Sequence, residues 1–219
     1  MPVFSDVFSD ADNTDLSTHD PTNWGDHGTS SDNAEVIDNA AAVAHTITGS
    51  SYSVAYYKIA MTNANYTISS TIKTYTAGSD GVAALAGRLD STSVYNAYEA
   101  DYYDATASGS RAVRLIRRGT GAGTAVLGSY TFNAGSSASF TMDLMLKGSS
   151  LSVYKDGVLV IGPVTDTNLA SAGYVGLRLG NQSAGNAANV PRVDSLTITT
   201  PSGVLRPPGF RAVSGLYIR

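Results

Sequence analysis

The densest group of chemically useful side chains lies in the segment Glu99-Ala-Asp101-Tyr102-Tyr103-Asp104. Paired carboxylates are the groups with which most glycoside hydrolases cleave a glycosidic bond. Because side chains alternate across a strand, we expect Glu99 and Asp101 on one face of a sheet. A simpler interpretation is that both acids are solvated, outward positions of a tyrosine-rich strand. The segment therefore provides candidate site residues, but it does not show whether they are catalytic.

Tyrosines surround this acidic segment, and the chain has 13 Tyr against five Phe and one Trp. Flat rings beside carboxylates are typical of a sugar-binding face, and protein–protein interfaces use Tyr equally because it offers a large contact area at low entropic cost. A wet sheet edge with half-buried tyrosines is a further alternative. The predicted glycan or interaction face consists of Tyr95, Tyr98, Glu99, Asp101 and Tyr103.

A second group of oxygen-bearing side chains lies near the N-terminus, where Asp10, Asp12 and Asp15 are closely spaced. Calcium takes about 6–8 oxygen ligands, so these residues are candidate metal ligands and calcium is the candidate cofactor. The spacing differs from an EF-hand, because the glycine at the sixth place and the bidentate glutamate are missing. Turn formation is the alternative, since Asp side chains readily bond their own backbone.

The composition argues against several other functions. The chain has no cysteine, which excludes disulfides, thiolate metal ligands and a cysteine nucleophile. Its net charge is −4, without the clustered basic face that nucleic acid binding requires. No stretch approaches the ~20 apolar residues of a membrane span. The N-terminal sequence MPVFSDVFSD also lacks the basic and apolar regions of a signal peptide.

Charge is distributed unevenly along the chain. Residues 1–57 contain eight Asp, one Glu and no Lys or Arg, whereas residues 201–219 contain three Arg and no acid. Four further arginines fall on both faces of one predicted strand, and we expect them to pair with the acidic N-terminal region. They are Arg111, Arg114, Arg117 and Arg118.

The segment that must organise the fold is 137–162, SASFTMDLMLKGSSLSVYKDGVLVIG. Phe140, Met142, Leu144 and Leu146 alternate with mainly polar residues, which is the period of a half-buried strand. Gly148-Ser-Ser and Lys155-Asp-Gly follow as turn signals, and Asp-Gly tolerates the positive φ of a tight hairpin. The segment therefore predicts three antiparallel strands in a meander.

The rest of the chain continues this pattern. Short β-rich runs recur about every 8–12 residues between Gly-rich turns, and no helical period is present, which favours a two-sheet antiparallel sandwich. About twelve strands exceed an immunoglobulin-like domain and suit a jelly roll. We predict one all-β jelly-roll domain over residues 1–199, with a polar loop over residues 10–33 that carries Trp24.

Several short motifs point to a known superfamily. The meander contains a V-Y-x-D-G hairpin, GYVGLRLG follows at 173–180 and VDSLTIT at 193–199, and FSDADNTDLSTHDPTNW opens the chain at 8–24. Together they resemble the concanavalin A-like lectin/glucanase (laminin-G-like) superfamily, including its phage and bacterial members, over about residues 3–199. The resemblance implies a concanavalin A-like sandwich, and a fold of this kind hosts many functions.

The resemblance also implies a possible enzyme. The superfamily includes retaining glucanases with an E-x-D-x-x-E strand, in which one carboxylate attacks the sugar and another donates the proton. Here the positions are Glu99, Asp101 and Asp104, and the final acid is one methylene shorter than the motif requires. This departure argues against catalysis.

Residues 200–219 form a C-terminal arm that contains three prolines, which are incompatible with a continued central strand. The arm is too apolar for a solvated linker. It either packs on its own domain or docks on a neighbouring subunit. The residues proposed for assembly are Arg206, Phe210, Arg211, Leu216 and Tyr217.

These observations leave three functions open. The first is a non-catalytic virion surface protein of a bacterial virus, a capsid decoration or tail-associated protein that reaches an extracellular particle without a signal peptide. Its partners would be other virion proteins or copies of itself, for example in a trimer. The second is a calcium-assisted carbohydrate-binding lectin module. The third is a retaining glycoside hydrolase.

Overall fold

The structure is a computed structural model of the 219-residue chain. It describes residues 2–9, 14–27, 34–37, 40–44, 51–74, 81–90, 95–105, 110–119, 123–132, 139–181 and 191–201. Within these ranges the only helix is the single turn α1, Leu16–His19. The described part of the chain thus contains no helix long enough to cross a membrane. The C-terminal arm after Pro201 lies outside the described residues.

The described residues form three antiparallel sheets. The first, here named the back sheet, contains β1 Pro2–Asp6, β7 Tyr66–Lys73, β12 Ser139–Lys147, β13 Ser150–Lys155, β14 Val158–Thr165, β16 Arg192–Val193 and β17 Leu196–Thr199. Its strand order is β1-β17-β7-β12-β13-β14, with β16 also paired to β7. The predicted meander is therefore confirmed as β12-β13-β14.

The second sheet, here named the front sheet, contains β3 Trp24–Asp26, β6 Ser51–Tyr57, β8 Gly81–Leu89, β9 Ala97–Ala105, β10 Ser110–Arg118, β11 Ala125–Thr131 and β15 Tyr174–Asn181. Its strand order is β11-β10-β9-β8-β15-β6-β3. The small third sheet joins β2 Thr14–Asp15, β4 Ala34–Ile37 and β5 Ala40–Ala44. The segment predicted as a polar loop over 10–33 therefore contains β2, α1 and β3, and Trp24 is fully buried.

The back and front sheets enclose one hydrophobic core, as the alternation predicts. Strand β7 alternates strictly between buried and half-buried positions, so that Ile68 and Ile72 point into the core. They meet Leu85, Val113 and other apolar side chains of the front sheet in a single cluster. The two-sheet jelly-roll sandwich predicted from the sequence is confirmed.

The hairpin between β13 and β14 uses the predicted Asp-Gly turn. Asp156 and Gly157 have φ values of 49° and 74°, the left-handed conformation that a tight hairpin of primed type requires. The turn is tied to the neighbouring strand, because the Thr141 amide donates to Asp156 Oδ1 at 2.9 Å. Asp156 and Gly157 therefore fix the register of the meander.

Replacing Gly157 with alanine is expected to lower the free energy of unfolding by about 1 kcal/mol, because a Cβ is strained at positive φ. No heavy atom lies within 4 Å of the position that the Cβ would take, so strain is the only cost. Chemical denaturation measures the change, with exposed Ser149→Ala as the control. An unchanged denaturation midpoint for Gly157→Ala would contradict the left-handed conformation assigned to Gly157.

Candidate functional site

Strand β9 carries most of the candidate residues and divides them between its two faces. Tyr98, Ala100 and Tyr102 point into the core, where all three are fully buried. Glu99 and Asp101 therefore share the opposite face with Tyr103, as the alternation predicts. We call this side of the front sheet, directed away from the core, the outer face.

Tyr98 does not belong to the outer face, which corrects its assignment to the glycan face. Its side chain is buried between the sheets, and its hydroxyl donates to Asp166 Oδ1 at 2.6 Å. Burial and this carboxylate raise the pKa of Tyr98 to about 12. Tyr98 is thus a core residue whose hydroxyl is hydrogen-bonded. Because Tyr98 and Glu99 are adjacent in one strand, alternation alone places their side chains on opposite faces of the sheet.

Asp104 also lies on the core side, away from Glu99 and Asp101. Strand β9 pairs with β10 in continuous register from Ala97 to Ala105, without a bulge that would turn Asp104 to the outer face. Asp104 is only 2% exposed and accepts a hydrogen bond from the Tyr102 hydroxyl at 3.2 Å. The three acids of the glucanase-like motif therefore do not converge on one face.

Glu99 and Asp101 are both fully buried, rather than solvated. Each is paired with an arginine of the adjacent strand β10: Arg118 Nε lies 2.6 Å from Glu99 Oε2, and Arg114 holds Asp101 at 2.9 and 2.6 Å with two nitrogens. The bidentate geometry makes the second pair specific for Arg. On the core side, Arg111 pairs with Asp104 of β9, and Arg117 pairs with Asp166, which follows β14. Pairing of these arginines with the acidic N-terminal region stays a prediction, because Asp10, Asp12, Asp32 and Asp38 lie outside the described residues.

The environment of these pairs shifts their proton affinities. Burial raises the pKa of Asp101, although Arg114 opposes the shift. Desolvation acts to lower the pKa of Arg118, but the Glu99 carboxylate outweighs it and raises that pKa above its ordinary value. Both arginines remain cations, so the pairs present a polar surface with little net charge.

Tyr95 completes the pair at Glu99, because its hydroxyl donates to Glu99 Oε1. Desolvation and the adjacent carboxylate raise the pKa of Tyr95 well above the usual value. Its ring lies edge-to-face against His27, with centroids 5.6 Å apart. Tyr95 therefore belongs to the outer face, as predicted, and acts as a neutral donor.

The strand register extends this face across the sheet. Arg114, Asp101, Ala84, Arg178 and Val54 are successive partners on β10, β9, β8, β15 and β6. The side chain at the centre of this row is small, because the residue contributed by β8 is Ala84. Its neighbours on the outer face are larger, half-buried rings, and they are Tyr52, Tyr56, Tyr95, Tyr103 and Tyr174.

This arrangement is suited to binding a flat, polar ligand. Tyr and Arg side chains dominate the outer face, and both are enriched in binding surfaces because they combine broad contact area with hydrogen-bonding groups. The Arg114 guanidinium packs over the Tyr103 ring at 4.2 Å, which orders both side chains. Rings held in this way offer contact area at a low cost in conformational entropy.

Arg178 and Tyr52 are members of the outer face that the sequence reasoning missed. The guanidinium of Arg178 lies 5.0 Å from the centroid of the Tyr52 ring. A usable signal was present in GYVGLRLG, where Arg178 alternates with the core residues Leu177 and Leu179 and must therefore point outward.

The predicted metal site is only partly described. Asp10 and Asp12 lie outside the described residues, and Asp15 ends the two-residue strand β2, paired with Glu35. Among the residues that the structure does describe, no group of three or more His, Asp or Glu side chains is arranged to hold a metal ion. Calcium binding by these aspartates stays a prediction.

The predicted assembly residues also fall outside the described part of the chain. They are Arg206, Phe210, Arg211, Leu216 and Tyr217. Docking of the arm on a neighbouring subunit, the homo-oligomer and virion partners therefore stay predictions.

Comparison with known proteins identifies the fold. No protein-family profile and no curated protein sequence matches the chain. Solved structures do match: the carbohydrate-binding module CBM66 from Bacillus subtilis has a TM-score of 0.52 at 19% identity, covering 78% of this chain and 96% of its own. The potassium-bound carbohydrate recognition domain of Emp46p has a TM-score of 0.63 at 12% identity, covering 88% and 94%.

An enzyme shares the same fold. The Bacteroides ovatus mixed-linkage glucan GH16 in complex with its G4G4G3G product has a TM-score of 0.55 at 11% identity, covering 90% of this chain and 100% of its own. These similarities confirm the concanavalin A-like jelly-roll fold. Since binding modules and a glycanase both have it, the function must be argued from the outer face itself.

Proposed function

We propose that this chain is a carbohydrate-binding module that binds a glycan on the outer face of the front sheet without cleaving it. The observation that carries the proposal is the half-buried layer of tyrosines and arginines over the small residues of β8. A sugar ring has an apolar face and polar edges, so aromatic rings beside guanidinium groups complement it. The fold shared with CBM66 and with the Emp46p recognition domain also supports the proposal.

The state of the carboxylates supports binding over hydrolysis. A retaining mechanism needs two carboxyl groups about 5–5.5 Å apart, one free to attack and one free to donate a proton. Glu99 and Asp101 are instead enclosed in ion pairs with Arg118 and Arg114, and Asp104 is on the core side. These contacts favour structural acids that position the two arginines.

A glycoside hydrolase is the second candidate function, favoured by the raised pKa of Asp101 beside Glu99. Incubation of the purified chain with glycans that it binds, followed by reducing-end analysis, separates the two candidates. We expect no turnover. Cleavage that disappears in Glu99→Gln while binding persists would replace the binding proposal with the hydrolase.

The first test of the proposal is a glycan-array screen of the purified chain. We expect defined polysaccharides to bind, and a blank array would contradict the proposal. Running the array with calcium and again with a chelator tests separately whether Asp10, Asp12 and Asp15 assist binding. A virion location and assembly through the arm stay predictions, which virion proteomics and an arm deletion would test.

The outer face can be tested directly with one pair of tyrosine variants. Tyr103→Ala removes a ring from the outer face and is expected to weaken glycan binding about tenfold, the usual scale for a central aromatic contact. Tyr130→Ala is the matched control, because Tyr130 is 38% exposed on edge strand β11 and stacks on Phe132. Titration calorimetry measures both; equal affinities would contradict the placement of the site.

A further inference from the structure

One cation on the outer face differs from the others. Among the described residues, Arg178 makes no ion pair, and no acceptor lies within hydrogen-bond distance of its Nη1 atom, although that atom is shielded from solvent. Its guanidinium lies over the ring of Tyr52 and also acts electrostatically on the Tyr95 hydroxyl, neither of which supplies a negative charge. A buried donor without an acceptor is destabilising, so its presence calls for an explanation.

The neighbouring charges do not compensate it. Glu99 is held by Arg118 and by the Tyr95 hydroxyl, and Asp101 is held by two nitrogens of Arg114. Among the described side chains of this face, three arginines therefore stand against two carboxylates, which leaves one positive charge. That charge resides on Arg178, because each carboxylate is already engaged.

The position of Arg178 suits a ligand contact. It stands between Ala84 and Val54 in the transverse row, so that neither neighbour along the row carries a polar side chain. The residue as a whole is half-buried, whereas its Nη1 atom is dry. An anion that approaches from the solvent side would meet a partly desolvated guanidinium, where a charge-assisted hydrogen bond is strengthened.

We propose that Arg178 binds a carboxylate of an acidic polysaccharide, so that the ligand of the outer face is a uronic-acid-containing glycan. This inference rests on the proposed carbohydrate-binding function and narrows it to one class of ligand. A planar carboxylate matches the two-pronged geometry of a guanidinium, and it would supply both the missing acceptor and the missing negative charge. The flanking tyrosines contact the sugar rings.

The ligand side of the inference is tested on the unmodified chain. Polygalacturonate, alginate and hyaluronate are titrated beside the same polymers after chemical reduction of their carboxylates to alcohols. We expect at least one acid polymer to bind, and its reduced form to bind on the order of 10–100-fold more weakly, because a charge-assisted contact is lost. Sulfated polysaccharides form a separate arm; tighter binding there than to any uronate would overturn the carboxylate assignment.

The protein side is tested with three variants. Arg178→Met keeps an unbranched stem but removes the guanidinium and its charge, and it should weaken binding of the acid polymer on the order of 10–100-fold. Arg178→Lys keeps the positive charge but lacks the two parallel donors of a guanidinium, so its affinity should lie between those of the wild type and Arg178→Met. Lys147→Met removes the same charge from an exposed position at the end of β12 and should leave affinity unchanged.

The outcomes distinguish this inference from the function on which it rests. Equal binding of acid and reduced polymers, unaffected by Arg178→Met, would overturn the role of Arg178 and leave carbohydrate binding intact. An equal loss of affinity in Lys147→Met would show that only the overall charge of the protein matters, and it would also overturn the specific role of Arg178. Failure of every polysaccharide to bind would overturn the proposed function itself.

Discussion

Arg88→Met is expected to lower the free energy of unfolding by about 4 kcal/mol, the largest single effect that we predict for this chain. The Arg88 side chain is 2% exposed, and its guanidinium donates to the carbonyl oxygens of Ala64, Gly148 and Leu169 at 2.9, 2.5 and 2.8 Å. Methionine fills similar space but leaves these carbonyls without their donor. Hydrogen bonds from a charged donor contribute about 1.5–3 kcal/mol each, and incomplete additivity reduces their sum.

The backbone conformation explains how the Arg88 side chain reaches the three carbonyls, which lie in the loops that follow β6, β12 and β14. Between the pairs Tyr174–Leu89 and Gly176–Ala86, strand β8 has one residue more than β15, which is a β-bulge. Arg88 takes a φ of 54° there, and its amide donates to the Tyr66 hydroxyl at 2.6 Å. The bulge therefore redirects a side chain that regular alternation would place on the outer face.

Urea denaturation of three variants tests this prediction. Arg88→Lys should lose less stability than Arg88→Met, because an ammonium group retains the charge and some of the hydrogen bonds. Lys58→Met is the surface control: it removes one exposed hydrogen bond, from Nζ to the Pro21 carbonyl at 2.7 Å, and should cost less than about 1 kcal/mol. Equal stabilities for Arg88→Met and Lys58→Met would show that the guanidinium does not join the loops.

Asp166→Asn is expected to lower the free energy of unfolding by about 3 kcal/mol at neutral pH. Asp166 follows β14 and is 8% exposed; it accepts hydrogen bonds from the Tyr98 hydroxyl, from Asn168 and from Arg117. It thereby ties the back sheet to β9 and β10 of the front sheet. Removal of one partner of a buried ion pair costs about 3–5 kcal/mol, and asparagine retains part of the hydrogen bonding.

The same residue predicts how stability changes with pH. Although desolvation acts to raise it, the hydrogen bonds from Tyr98, Asn168 and Arg117 lower the pKa of Asp166 from 3.8 to about 2. The folded state therefore favours the carboxylate. Its stabilisation, about 2 kcal/mol from the shift, is fully present above about pH 4 and is lost as the pH falls towards 2.

Denaturation at several pH values between 7 and 2 measures this contribution. The difference in unfolding free energy between the wild type and Asp166→Asn should narrow by about 2 kcal/mol as the pH falls, since asparagine does not titrate. Asp26→Asn, at an exposed position of β3, serves as the control. A difference that stays constant down to pH 2 would refute the role of the Asp166 carboxylate.

The fold was predictable from local sequence pattern, because the alternation of apolar residues and the turn motifs each involve residues that are close together in the sequence. The alternation of Phe140, Met142, Leu144 and Leu146 states which face of β12 is buried, and the Asp156-Gly157 turn fixes where the next strand begins. The short motifs that follow resemble the superfamily whose fold the structure has. Fold class, strand period and the meander were therefore predictable without any long-range information.

The candidate site was predictable only in part. Tyr95, Glu99, Asp101 and Tyr103 do lie together on the outer face, whereas Tyr98 is a core residue. Alternation separates Tyr98 from Glu99, but it does not state which of two polar faces is covered by the second sheet. That choice depends on the pairing of strands far apart in sequence.

The all-β sandwich, its repeated hairpins and the strand that carries Glu99 and Asp101 are predictable from the amino-acid sequence, because each follows from residues adjacent along one strand. Three other features became visible only in the folded chain: β10 arginines neutralise those acids, Arg178 has no described counter-ion in the same row, and a bulge turns Arg88 inward. Such features arise from inter-strand register, and register is set by the packing of the whole sheet rather than by any one segment.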